Sequence, residues 1–193
     1  MHDLDSERIT VSNVLHRVEA QQKYKSMTEY DQLKYEFWKG FVEYASSDAE
    51  FAKYFTTRKP HIKYWYDLSL GLSAYHICLT VSPMKKEISA GIYFDEHRDL
   101  FEHFLMHKGA IEAIIGTKCL FKTMRIDSRI RTFLPLNVSD PSNWTDAYEW
   151  LVMMTLKFRE VHLKFGKQIP SMQGDSYCST DIRSLNLMQD IKS

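Results

Sequence analysis

The feature that most constrains this chain is a run of two-residue alternation between Arg58 and Phe94, RKPHIKYWYDLSLGLSAYHICLTVSPMKKEISAGIYF. In segment 64–70, Tyr66, Leu68 and Leu70 alternate with Trp65, Asp67 and Ser69. In 74–82, Tyr75, Ile77, Leu79 and Val81 alternate with His76, Cys78 and Thr80. In 87–94, Ile88, Ala90, Ile92 and Phe94 alternate with Glu87, Ser89, Gly91 and Tyr93. Successive side chains of a strand point to opposite faces, so this pattern specifies strands with one face in a core and the other outside it. Gly71-Leu72-Ser73 and Pro83-Met84-Lys85-Lys86 are short turn sequences, and they fold the three strands into an antiparallel meander.

A half-apolar sheet needs a cover, and the flanks supply helices. Tyr30, Leu33, Phe37, Phe41 and Tyr44 recur at steps of three and four, predicting a helix over 28–45 that opens on Thr28-Glu29-Tyr30-Asp31. Ser47-Asp48-Ala49-Glu50 reads as a capping box that starts a short helix over 48–55. After the meander, Asp95 caps a helix over 96–115 whose stripe includes Leu100, Phe101, Phe104, Ile111 and Ile115, and Gly116 ends it. CLFKTMRI (119–126) and RIRTFLPL (129–136) flank Asp127-Ser128 as a second hairpin. Asp140-Pro141 opens a last helix over 141–165 that stops at Gly166. Val11, Val14, Leu15 and Val18 predict a short helix over 10–24.

The fold class that follows is α+β: an antiparallel sheet of about five strands, a three-strand meander plus a hairpin, with helices mainly on one face. The expected organisation is a polar N-terminal arm or short helix (1–27), a single domain (28–166) and a polar C-terminal tail (167–193). With 11 Phe, 11 Tyr and 4 Trp, the chain has enough bulk for one core and for some aromatic surface besides. No apolar run nears the roughly 18 residues of a membrane span, and MHDLDSERIT is unlike a signal peptide, so the expectation is a cytoplasmic protein without membrane contact. Three widely spaced cysteines without metal-ligand spacing fit a reduced compartment.

Five stretches together resemble one family: YEFWKGFVEYA, the whole 58–94 segment, DEHRDLFEHF, DSRIRTFLPL and WTDAYEWLVMMTLKFREVH. In this order, over about residues 33–165, they resemble the bacterial domain of unknown function numbered 4268. That family often lies C-terminal to nuclease-like domains in proteins resembling restriction or defence components, and it has no established catalytic residues to carry over. The resemblance therefore implies a nuclease-associated module. This chain departs from the commonest arrangement, being expected to consist of the module and a short N-terminal arm.

The residues themselves offer few catalytic patterns. A restriction-type nuclease centre needs acidic-x-Lys beside another acid to hold a divalent cation and activate water; the sequence has no Glu-x-Lys, and its one Asp-x-Lys is Asp190-Ile191-Lys192 in the tail. Asp67 and Glu87 lie on predicted strands and could pair across the meander; with a histidine they frame the alternative of a metal-dependent phosphodiesterase. His103 and His107 share a helix face, and because EHRDLFEHF reads as an acidic, exposed helix start, a solvated helix side explains them better than a metal does. No metal or cofactor is expected.

The remaining candidate is a surface. Trp65, Asp67, Ser69, His76, Thr80, Ser89 and Tyr93 share one sheet face in a simple register, with Arg58, Lys59, His61 and Lys63 as a basic lead-in at its edge. Ser128, Arg129 and Arg131 join them if the second hairpin lies along that edge. Cations beside aromatics suit phosphate contact with base stacking. Lys+Arg and Asp+Glu both number 25, so nucleic-acid binding has to rest on this local patch and not on a global field. The expectation is a non-catalytic module that contacts nucleic acid or a partner protein of a nuclease or defence system. A further alternative is a structural homodimer built on the N-terminal helix.

Overall fold

The computed structural model describes Gln22, Tyr24 and residues 26–166. The expected helix over 10–24, and the dimer built on it, fall almost wholly outside the described residues, as does the tail from 167. The order is α1 (Glu29–Ser47), α2 (Ala49–Tyr54), β1 (Trp65–Leu68), β2 (Tyr75–Ser82), β3 (Glu87–Asp95), α3 (Arg98–Met106), α4 (Lys108–Ile115), β4 (Leu120–Thr123), β5 (Asp127–Pro135), a 3-10 turn (Pro141–Asn143) and α5 (Trp144–Phe165). This is the α+β class, with one antiparallel five-stranded sheet.

The strands lie in the order β1-β2-β3-β5-β4. The meander forms as the alternation requires, with Tyr66 opposite Leu79 and Leu79 opposite Ala90. β5 then pairs with β3 along its whole length, from Glu87 opposite Pro135 to Asp95 opposite Asp127. The second hairpin therefore joins the meander at β3, far from the basic lead-in, and leaves the short β4 as an edge.

One sheet face is the core. Tyr66, Ile77, Leu79, Ile88, Ala90, Ile92 and Phe94 are essentially inaccessible to solvent. α5 and α3 lie on this face, and α1 packs on α5. The α1 stripe places Phe37, Trp38 and Phe41 in contact with sheet and helix at once: Trp38 meets Tyr66 with ring centroids 5.3 Å apart, and Phe37 meets Tyr148 at 5.2 Å. Each such side chain contributes about 1.5–3 kcal/mol by leaving water. The Tyr148 hydroxyl donates to the Phe37 carbonyl at 3.0 Å, so its polar end is satisfied inside the core.

Four local expectations are corrected. Asp48, not Ser47, caps α2, accepting from the Phe51 N–H at 2.8 Å; Ser47 is still the last residue of α1. The helix expected over 96–115 is two helices meeting at His107, and Asp95 ends β3 instead of capping. His107 leaves the helical path because its ring stacks on Phe165 (4.7 Å, 22°) at the end of α5. The expected turn at Asp127-Ser128 lies two residues earlier, at Arg125-Ile126, closed by the Met124 N–H donating to the Asp127 carbonyl at 2.8 Å. Asp127 and Ser128 are buried strand residues.

Candidate functional site

The other sheet face carries three rows that run across the strands. The middle row joins Asp67, Cys78, Gly91 and Arg131. On one side of it run His76, Tyr93, Arg129 and Lys122. On the other run Trp65, Thr80, Ser89 and Phe133. The middle row is lowest at Cys78, whose thiol is small, while the space over Gly91 is taken by the Arg131 side chain. A trough results, and within it lies a hollow of about 340 Å³ lined by Tyr64, Trp65, Asp67, His76, Cys78, Thr80, Tyr93 and Arg129.

The first wall is a stack. His76 lies on Tyr93 with ring centroids 5.2 Å apart and planes 29° apart, and the Arg129 guanidinium stands 4.9 Å from the Tyr93 centroid on the next strand. Both ends of the stack meet carboxylates. Arg129 donates through Nε (3.1 Å) and Nη2 (2.6 Å) to Oδ2 of Asp127. His76 Nε2 lies 3.3 Å from Oδ1 of Asp67, within ion-pair range but out of line for a hydrogen bond. The second wall is lower in the middle, where the Thr80 and Ser89 hydroxyls bond each other at 2.6 Å. Its ends are raised by Trp65, under Lys63 (4.7 Å), and by Phe133, under Arg131 (5.3 Å).

Electrostatics are set by partial burial. Burial pushes the Asp67 carboxyl upward, but His76, the Cys78 thiol and the charge of Arg58 outweigh it and hold the group below its usual range. Burial likewise pushes Asp127 upward, and its bonds from Arg129 and Tyr93 overcome that. The Cys78 thiol is driven well above its usual value by burial, with Asp67 adding to it, so it is a poor nucleophile. Among the described residues, three buried side-chain polar atoms have no hydrogen-bond partner: His61 Nδ1, Asp67 Oδ1 and Arg131 Nε. Two of these belong to the middle row of the trough.

The sequence-predicted residues divide accordingly. Trp65, Asp67, His76, Thr80, Ser89, Tyr93, Arg129 and Arg131 do share the face. Ser69 falls beyond the end of β1, and Ser128 points to the helical side, buried opposite Phe94. The lead-in is pinned at the β1 edge by two core residues. The Tyr66 hydroxyl meets both the N–H and the carbonyl of Arg58 at 2.5 Å, and the Trp38 indole N–H donates to the Lys63 carbonyl at 2.9 Å. The side chains of Arg58, Lys59 and Lys63 remain exposed, whereas His61 turns toward Tyr66 and burial lowers its pKa.

The carboxylate pair considered for metal chemistry does not assemble. Asp67 lies opposite Cys78, whereas Glu87 lies opposite Ser82, four residues further along its strand than Gly91. At about 3.4 Å per residue, they are separated by more than 13 Å along the strands alone. The His103 and His107 rings lie 5.1 Å apart, but both are engaged by Phe165: His103 Nε2 is 3.2 Å from its carbonyl, and His107 stacks on its ring. Among the described residues no three of His, Cys, Asp and Glu are grouped to hold a metal ion.

Gly91 and Phe133 escaped the sequence reading, although both shape the site. A glycine inside a strand pattern is a signal of close backbone approach. Phe133 carried no such mark, since only the pairing of β5 with β3 brings it onto this face.

The model of a family described as Domain of unknown function (DUF4268) matches residues 33–165. No curated protein and no solved structure matches this chain.

Proposed function

The chain belongs to the family described as Domain of unknown function (DUF4268), and we propose that its trough makes it a non-catalytic module that binds single-stranded nucleic acid. One observation carries this reading. Three aromatics on the face each have a cation within stacking reach: Lys63 by Trp65, Arg129 by Tyr93 and Arg131 by Phe133, at 4.7, 4.9 and 5.3 Å. Rings that accept a base, alternating with charges that accept its phosphate, are the general requirement for gripping an unpaired strand. A sheet whose described helices lie on the far side can present such rings to splayed-out bases. The exposed Arg58 and Lys59 extend the cationic edge beyond the trough. Such a role suits the nuclease or defence setting that the resemblance implies.

The face is close to neutral, because Asp67, Glu87, Asp95 and Asp127 oppose Lys63, Lys122, Arg129 and Arg131. Affinity then comes more from stacking than from charge. The test is titration of labelled single-stranded and duplex oligonucleotides, DNA and RNA, at two salt concentrations. Expected is preference for the single strand and a salt slope of about two phosphates' worth, roughly −0.7 per phosphate. Replacing Arg58 and Lys59 together by Ala weakens binding. Absence of binding, or binding unaffected by that double replacement, removes the reading.

A further inference from the structure

We propose that a second hollow, at the end of β1, binds a phosphate dianion between Lys53 and Arg159, either as the free ion or carried as a monoester. The hollow, of about 340 Å³, lies where the end of α2, the link from β1 to β2 and the last turns of α5 meet. It shares no lining residue with the hollow of the trough, and it is independent of the single-strand reading. Its cations gather around one ring: Arg159 Cζ lies 3.4 Å from the Tyr54 centroid, and Lys53 Nζ lies 5.0 Å from it. At the shorter distance the guanidinium lies flat on the ring, because an edge-on approach would drive a nitrogen into it. Stacking holds the guanidinium by its face and leaves the N–H donors along its edge for a ligand.

Neither charge is neutralised within the protein. Among the described residues no carboxylate lies within ion-pair distance of Lys53 or Arg159, and no Asp or Glu lines the hollow. Arg159 is half-buried, yet its nitrogens keep solvent access, unlike Arg131 Nε. Ser69 lines the same hollow, and its Oγ accepts from the Gly71 N–H at 3.1 Å, which leaves the hydroxyl proton to donate. His162 lines it too, with its ring fixed by the buried Tyr75 hydroxyl at 2.8 Å. Two cations around one ring match a group that carries two negative charges, and the edge of a guanidinium matches a pair of phosphate oxygens. A phosphate monoester has nearly two charges near neutral pH, whereas a backbone diester has one. The volume exceeds what a phosphate alone fills and lies at the low end of small-molecule sites, so a carrier has room.

The experiment titrates the isotope-labelled full chain, at about pH 7.5, with inorganic phosphate, ribose 5-phosphate, ribose and dimethyl phosphate, the last a diester with one charge. Backbone amide signals are followed together with Arg159 Nε–H. Expected are saturable shifts at Arg159 and Gly71 with inorganic phosphate and ribose 5-phosphate, none with ribose, and binding of dimethyl phosphate weaker by about tenfold or more. Tighter binding of ribose 5-phosphate than of inorganic phosphate identifies the carried monoester as the ligand form; equal or weaker binding identifies the free ion. Arg159→Lys keeps the charge and loses the fork, and it weakens both phosphates by about tenfold. Lys53→Ala, at an exposed position, weakens them as well. The comparison with dimethyl phosphate needs no variant, so it stands even if Arg159→Lys folds poorly. No saturable shift from either phosphate, equal affinity for dimethyl phosphate, shifts confined to the trough, or affinity unchanged in both folded variants overturns the site.

Discussion

Gly91 and Arg131 are direct neighbours across β3 and β5, and the arginine side chain occupies the space where a Cβ on Gly91 would be. That Cβ would collide with the Ile130 carbonyl oxygen and lie 2.7 Å from Arg131 Cγ, and backbone cannot swing aside as a side-chain tip can. Gly91→Ala is therefore expected to lower stability by about 1–3 kcal/mol, the usual range for overpacking. Chemical denaturation measures it.

A similar contact joins the helices. A Cβ on Gly40 would collide with the Tyr148 hydroxyl, which is fixed by its bond to the Phe37 carbonyl. Gly40→Ala should destabilise by about 1–3 kcal/mol, because the ring is rigid and buried. In Gly40→Ala with Tyr148→Phe much of that loss returns, since the hydroxyl is gone. Additive losses in the double variant would contradict the contact.

These glycines mark the boundary of what the sequence discloses. Alternation at Tyr66, Leu68, Ile77, Leu79, Ile88 and Ile92 reports strands and their buried face, since it depends only on neighbours along the chain. The polar face at Trp65, Asp67, His76 and Tyr93 follows from the same pattern. Strand order does not, because nothing local to Arg129 or Arg131 says that β5 pairs with β3. The break at His107 was equally hidden: the apolar stripe runs through it, and its cause is a ring at Phe165, distant in sequence. Asp127-Ser128 has turn composition, yet the Arg129 guanidinium and burial against the helices keep both residues in a strand.

Alkaline pH should expose the buried tyrosines. Tyr75 is about 1% accessible, and burial pushes its hydroxyl up to about 12. A raised pKa means full stability below the unfolded value near 10 and progressive loss between about 10 and 12, at up to ~1.4 kcal/mol per pH unit. Tyr75→Phe removes that slope, and also removes the 2.8 Å bond to His162 Nδ1, so it starts less stable at neutral pH. Denaturation midpoints from pH 8 to 12 decide it. An identical slope in the variant would contradict the assignment.

Acid acts on the opposite end of the stack. The Asp127 carboxyl lies below its usual value because Arg129 and Tyr93 prevail over burial. Its stabilisation is present above the unfolded value near 4 and disappears as pH falls through the lower folded value. Arg129→Ala leaves burial unopposed by its main partner and raises this pKa. The variant should lose about 1–3 kcal/mol at neutral pH and begin acid unfolding at higher pH than the parent. Urea midpoints between pH 2.5 and 7 measure both effects.

The most direct test of the trough as a binding surface is a chemical-shift map of isotope-labelled protein titrated with a mixed-sequence single strand of about eight nucleotides. Shifts concentrated at Asp67, His76, Cys78, Gly91, Tyr93 and Arg131, with α1 and α5 unmoved, are the expected result. No shifts at high oligonucleotide concentration, or shifts confined to the helical side, would contradict a binding role for this face.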